Sequence, residues 1–117
     1  MAWKVDFYED EDGFAPVENS IAGLSREHKA KALAIVKLLA EEGPTLPYPY
    51  SSQVRGKIRE LRTQYGKDKI RILYFGDFRR RFILLHGLVK RTGRLSEEDI
   101  QITEKRMHHH IQRLKGS

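Results

Sequence analysis

The chain has no cysteine, which excludes disulfides and thiolate metal sites and suits a reducing compartment, the cytoplasm. It also lacks long apolar runs. Nothing approaches the roughly 18 apolar residues of a membrane span, and the opening MAWKVDFYEDEDG has no apolar core such as a secretory signal needs. A cytoplasmic protein without membrane association is therefore expected. Repeats and low-complexity segments are missing. So are a phosphate-cradling glycine loop, a Ser/His/Asp spacing and a carboxylate pair suited to glycosidic chemistry. No cofactor is implied. At 117 residues the chain makes one domain, residues 1–117.

Charge is present in quantity and unevenly placed. Residues 1–53 carry 5 Lys/Arg against 9 Asp/Glu, whereas residues 54–117 carry 17 against 7. Such a basic half is either a solvated surface or a site for a polyanion. The second reading is favoured because arginine outnumbers lysine there, and its planar fork suits phosphate. Nucleic acid is the commonest polyanion such a domain meets.

Residues 56–91 hold three apolar runs, at 58–61, 70–75 and 82–88, separated by turn-rich joints and studded with Arg and Lys. They predict three antiparallel strands in a meander, with joints at 65–69 and 76–79. The second and third runs are nearly continuous, as expected of strands covered on both faces. Before them, residues 3–8 alternate and predict a short strand. Residues 14–24 have helical spacing, with Pro16 tolerable in the first turn. Ser25 caps a second helix that ends at Gly43-Pro44, its stripe read as Ala32, Leu33, Val36, Leu39 and Ala40. Residues 45–53, in which Tyr48 and Tyr50 alternate with Pro47 and Pro49, read as an extended loop whose tyrosines either stack on bases or, the preferred reading, pack across the sheet edge. Ser96 with Asp99 opens a last helix. The fold class is α+β: an antiparallel sheet with an N-terminal helix pair and a C-terminal helix packed on it.

Few residues suggest chemistry. His108, His109 and His110 are consecutive on a helix, so they point about 100° apart and cannot converge on one ion; a solvated helix face is the preferred reading, and no metal site is assigned. His86 ends an apolar strand and is either a core histidine or a functional one. Glu60 is the one carboxylate inside a predicted strand of the meander, and is expected to pair with an arginine. The cations are the strongest signal. Arg59 and Arg62 leave opposite faces of the first meander strand, and Arg71 shares a face with Leu73 and Phe75. An arginine amid apolar residues is costly unless paired or serving a ligand. Lys90 and Arg91 follow the third strand. A salt bridge to Glu60 or Asp99 would explain one of these cations, not five.

The run Arg55-Gly56-Lys57-Ile58-Arg59-Glu60-Leu61-Arg62, then Lys69-Ile70-Arg71-Ile72-Leu73-Tyr74-Phe75, then Leu84-Leu85-His86-Gly87-Leu88-Val89-Lys90-Arg91-Thr92, resembles the phage-derived branch of the RelE/HigB toxin superfamily. The resemblance extends over nearly the whole chain. It implies a RelE-like fold and the toxin of a type II toxin–antitoxin system. Toxins of the HigB type cleave mRNA in the ribosomal A site without a metal. The ribose 2′-hydroxyl attacks the adjacent phosphate and leaves a 2′,3′-cyclic phosphate and a 5′-hydroxyl.

Carried over by position, Arg71, Lys90, Arg91 and His86 are the implied catalytic residues, and Lys57, Arg59, Arg62 and Lys69 the implied RNA-binding ones. Several relatives place a Tyr or His near the C-terminus. Here residues 96–114 form an amphipathic helix instead, so Tyr65, Tyr74 and His86 are the candidates for moving the proton. The implied partners are a helix-turn-helix antitoxin, mRNA on the ribosome and rRNA, with operator DNA met only through the antitoxin. Two rivals remain: a ParE-like inhibitor of DNA gyrase with the same fold, and an inert nucleic-acid-binding phage remnant.

Overall fold

Short joints force neighbouring strands to fold back on one another, and the second half of the chain does so three times. In the computed structural model, which describes residues 3–116, β2 (Ser51–Arg55), β3 (Ile58–Tyr65), β4 (Asp68–Gly76) and β5 (Arg81–Lys90) form an antiparallel meander. Gly66, at φ +60°, occupies the two-residue joint between Tyr65 and Asp68, where left-handed backbone matches the strand twist. The first strand, β1 (Lys4–Phe7), lies on the far edge and gives the order β1-β5-β4-β3-β2.

Two features depart from the sequence reading. β1 runs parallel to β5, so the sheet is mixed rather than wholly antiparallel. Residues 51–55 are an edge strand, not the end of a loop. The sequence SSQVR hides that strand because its inward groups are polar. Ser51 is buried through Oγ bonds to the Tyr74 hydroxyl (2.7 Å) and Arg59 Nε (3.1 Å).

Helices cover both faces. On one side lie α1 (Pro16–Ala22) and α2 (Arg26–Glu42), and on the other α3 (Glu97–Lys115). Ser25 Oγ accepts from His28 N, and Ser96 Oγ accepts from Asp99 N at 3.0 Å, so both helix starts have the side-chain caps their sequences predict. The α2 stripe is Ala32, Ile35 and Leu39, with Leu33 half exposed. That is a correction of one position: 32, 35 and 39 follow the 3.6-residue period more closely. Ile70, Ile72, Tyr74 and Leu84 pack toward α1 and α2, while Leu73, Phe75, Ile83 and Leu85 pack toward Met107 of α3. Burial on both faces explains the continuous apolar runs of β4 and β5. Among the described residues, no helix is long and apolar enough to cross a membrane.

The histidine run is not a uniformly solvated face. His108 is exposed, but His109 Nδ1 lies 2.6 Å from the Tyr8 hydroxyl, and His110 is buried with Nε2 3.3 Å from Asp77 Oδ2. The face of α3 that meets the sheet is Thr103, Met107 and His110, at i, i+4 and i+7. A histidine thus takes a core position that residue type alone marks as polar.

Two stability predictions follow from this packing. Burial lowers the His110 pKa from 6.5, against the upward pull of Asp77, so the folded state holds the ring neutral. The unfolded chain then binds more protons below about pH 6.5, and stability falls as the pH drops through that value. Urea unfolding between about pH 7 and pH 5 should show this loss, and H110Q should lose less over the same range. At Gly43, φ is +62° and ψ −140°, and an added Cβ would stand 2.3 Å from Trp3 Nε1. G43A should therefore cost roughly 2–4 kcal/mol in the same assay.

Candidate nucleic-acid interface

Like charges face each other at two neighbouring positions of the sheet. Arg62 of β3 is directly opposite Arg71 of β4, and Lys69 of β4 is directly opposite Lys90 of β5. Residues two apart on a strand share a face, so all four side chains stand on the α3 side. Like charges at opposed positions destabilise a sheet. A fold that keeps two such pairs side by side has concentrated positive charge at a local cost.

Two carboxylates offset part of that cost. Glu60 is buried, and its Oε1 lies 3.2 Å from an Arg62 Nη and 3.7 Å from Arg71 Nε. Among the described residues, its Oε2 is buried without a hydrogen-bond partner. Asp99, from the first turn of α3, places Oδ2 3.0 Å from Lys90 Nζ and Oδ1 2.8 Å from His86 Nε2. Burial pushes the Asp99 carboxyl up, but hydrogen bonds from His86, Ser96 and Lys90 outweigh it and hold it well below the usual carboxylate range.

Arg71 is the centre of the group. It is only 5% exposed, and its nearest counter-charge, at 3.7 Å, is beyond ordinary hydrogen-bond reach. Among the described residues, its guanidinium has no hydrogen-bond partner. Burial and the neighbouring Arg62 charge both lower its pKa, yet an arginine remains protonated. No guanidinium nitrogen of Arg71 is among the fully buried unpartnered atoms, so its donors reach the solvent and are open to an anion.

Beside it, at the edge of β3 beyond the reach of β2, is a cavity of about 350 Å³ lined by Arg71, Arg62, Lys69, Gln64, Lys31 and Tyr50, among others. Tyr48, 69% exposed, lies under the Arg62 guanidinium, 5.3 Å from ring centroid to Cζ. The sequence reading packed Tyr48 and Tyr50 across the sheet edge. Both are instead open to solvent beside the cations.

The remaining candidates are dispersed. Arg59 points to the opposite face, where its Nε donates to Ser51 Oγ. Lys57 is in the β2–β3 turn, five residues from Arg62 and so roughly 17 Å along the strand. Arg91 is largely exposed and turns to Asp68, 3.2 Å away, which also binds His28 of α2. Tyr65 is beside His28 and Tyr74 is buried among the α2-side residues.

His86 shares the cation face with Leu88 and Lys90, two and four residues along β5, as strand alternation requires. Leu73 pairs with His86 and Tyr74 with Leu84, so Leu85 is an extra residue in β5. This bulge turns both Leu85 and His86 toward α3. Arg106 donates to the Leu85 carbonyl at 2.8 Å and to His86 Nδ1 at 3.3 Å. Because arginine only donates, His86 carries its proton on Nε2 and gives it to Asp99. Both ring nitrogens are thus occupied. Arg106 is the residue that sequence reasoning missed, because its partners, the Leu85 carbonyl and His86, are distant in sequence.

The family model for phage-derived Gp49-like protein (DUF891) matches residues 19–108, which include Glu60, Asp99 and all four clustered cations. No curated protein matches the chain. The chain belongs to the phage-derived Gp49-like family, a family related to toxin–antitoxin systems.

Proposed function

We propose that the protein is the toxin of a type II toxin–antitoxin system and a ribosome-dependent mRNA endoribonuclease. The observation that carries the reading is Arg71, a largely buried side chain whose guanidinium has no hydrogen-bond partner among the described residues, set among three more cations on one sheet face. Cleavage of RNA by its own 2′-hydroxyl forms an O2′–P bond and breaks the P–O5′ bond. The pentacoordinate phosphate between them carries an extra negative charge. Fixed cations in a partly dry site stabilise that charge, often the largest single contribution to a rate. Arg71 and Arg62 contact the phosphate oxygens, and Lys69 and Lys90 hold the flanking backbone. Tyr48 offers an exposed ring on which a base stacks.

In this reading His86 positions rather than reacts. With Asp99 it docks the start of α3 against β5 and keeps Lys90 near the site. The ribosome aligns the mRNA for in-line attack, so no prominent acid/base pair has to be built into the toxin. The partner is a helix-turn-helix antitoxin, with which the toxin represses their shared operon in the cytoplasm.

Inducing the wild type in a bacterial host should arrest growth and produce mRNA cuts in register with codons. R71A, soluble and folded, should lose both, with a cleavage rate at least roughly a hundredfold lower. Arrest without RNA cuts would overturn the nuclease reading in favour of a gyrase-type target. Absence of arrest with soluble protein present would also overturn it, in favour of an inert binder.

A further inference from the structure

The opposite end of the same hairpin carries a second feature that the cation cluster does not use. β4 carries the chain roughly 17 Å from Arg71 to Gly76, and beyond it residues 77–81 read Asp-Phe-Arg-Arg-Arg. Phe78 at the tip is 76% exposed, the most exposed of the large apolar side chains described. Aromatic rings bury large areas in a fold, and one left in water beside three arginines is an unused stacking surface.

The tip is held firmly. Asp77, its side chain 1% exposed, accepts from Arg79 N at 2.9 Å, Arg81 N at 3.3 Å, the Arg79 guanidinium at 2.8 Å and His110 Nε2 at 3.3 Å. The Arg81 guanidinium pairs with Asp6 at 3.0 Å. Between these anchors Arg80 sits at φ +63°, in left-handed backbone that glycine or asparagine takes more readily. Its guanidinium lies 4.7 Å from the Trp3 ring, and among the described residues it has no carboxylate partner. Backbone strain kept at a non-glycine residue points to a role for its side chain. Here a strained arginine and an exposed ring are neighbours on a pre-ordered turn.

We propose that the β4–β5 tip is a second RNA contact, in which an unpaired nucleotide stacks on Phe78 and Arg80 binds an adjoining phosphate. Exposed aromatic rings flanked by guanidinium groups are what single-stranded RNA uses, because every base has a stacking face and every linkage a charge. This contact is separate from Arg71 and does not require that Arg71 cut RNA.

The test is fluorescence anisotropy with a labelled single-stranded RNA over a series of salt concentrations, on wild type, F78A, F78W, R80G and R71A. F78A should bind roughly tenfold more weakly with its salt dependence unchanged, and F78W should restore the affinity. R80G relieves the strained backbone and should keep the melting temperature. It should nevertheless weaken binding and lower the slope of log K against log salt by about one. Wild-type affinity in both F78A and R80G would overturn the proposal. So would equal weakening by F78A and F78W, which marks a disturbed turn rather than a lost stack. R71A should keep the Phe78 effect intact, so loss of cleavage in R71A with unchanged F78A binding refutes this contact alone. Weakened F78A binding with normal cleavage in R71A refutes only the catalytic reading.

Discussion

One buried carboxylate, Glu60, stands between Arg62 and Arg71, and the sheet face is arranged around the imbalance it leaves. A single negative charge serves two guanidiniums, one of them nearly out of water. Taking charges out of water usually costs more than their attraction returns, and apolar replacements of buried ion pairs are often as stable or more so. Arg71 is therefore hard to explain as a device for stability. The neighbouring Lys69–Lys90 pair repeats the pattern, with Asp99 as its partial counterweight. Both pairs make sense on a face that receives a polyanion, where ligand phosphates supply the missing charge.

The fold serves this face through two local irregularities. The β5 bulge keeps Leu85 as well as His86 on the α3 side, where Arg106 meets the Leu85 carbonyl and His86. The Ser96 cap fixes the first turn of α3, so that Asp99 reaches both His86 and Lys90. Charge placement thus depends on a helix start and an extra strand residue, neither of which touches Arg71. On the other face, Arg59 donates to Ser51, which also bonds the Tyr74 hydroxyl, so that cation is already satisfied within the fold.

Much of this was legible in the sequence. The apolar runs at 70–75 and 82–88 became central strands because burial on both faces leaves that pattern. Ser25 and Ser96 marked helix starts because a hydroxyl there satisfies a free backbone N–H. Strand parity separated Arg59 from Arg62, and an arginine flanked by isoleucines singled out Arg71. What stayed hidden depends on contacts distant in sequence. The edge strand 51–55 buries polar groups, so it lacks a hydrophobic signature. The parallel pairing of β1 with β5 joins residues more than seventy positions apart. The β5 bulge, which puts Leu85 on the same side as its neighbour His86, leaves no mark in an apolar run. His110 occupies a core position that an apolar residue would ordinarily fill. Family membership across residues 19–108 agrees in extent with the meander and most of its helices.

The most direct test of the central claim is to measure the stability and the cleavage activity of R71M together. Methionine keeps much of the side-chain volume and removes the buried charge, while Glu60 retains Arg62. If the cation is held for an anion, R71M unfolds at the same temperature as wild type or higher, and cleavage of ribosome-bound mRNA is lost. A marked drop in melting temperature with cleavage intact would make Arg71 a structural residue and contradict the account.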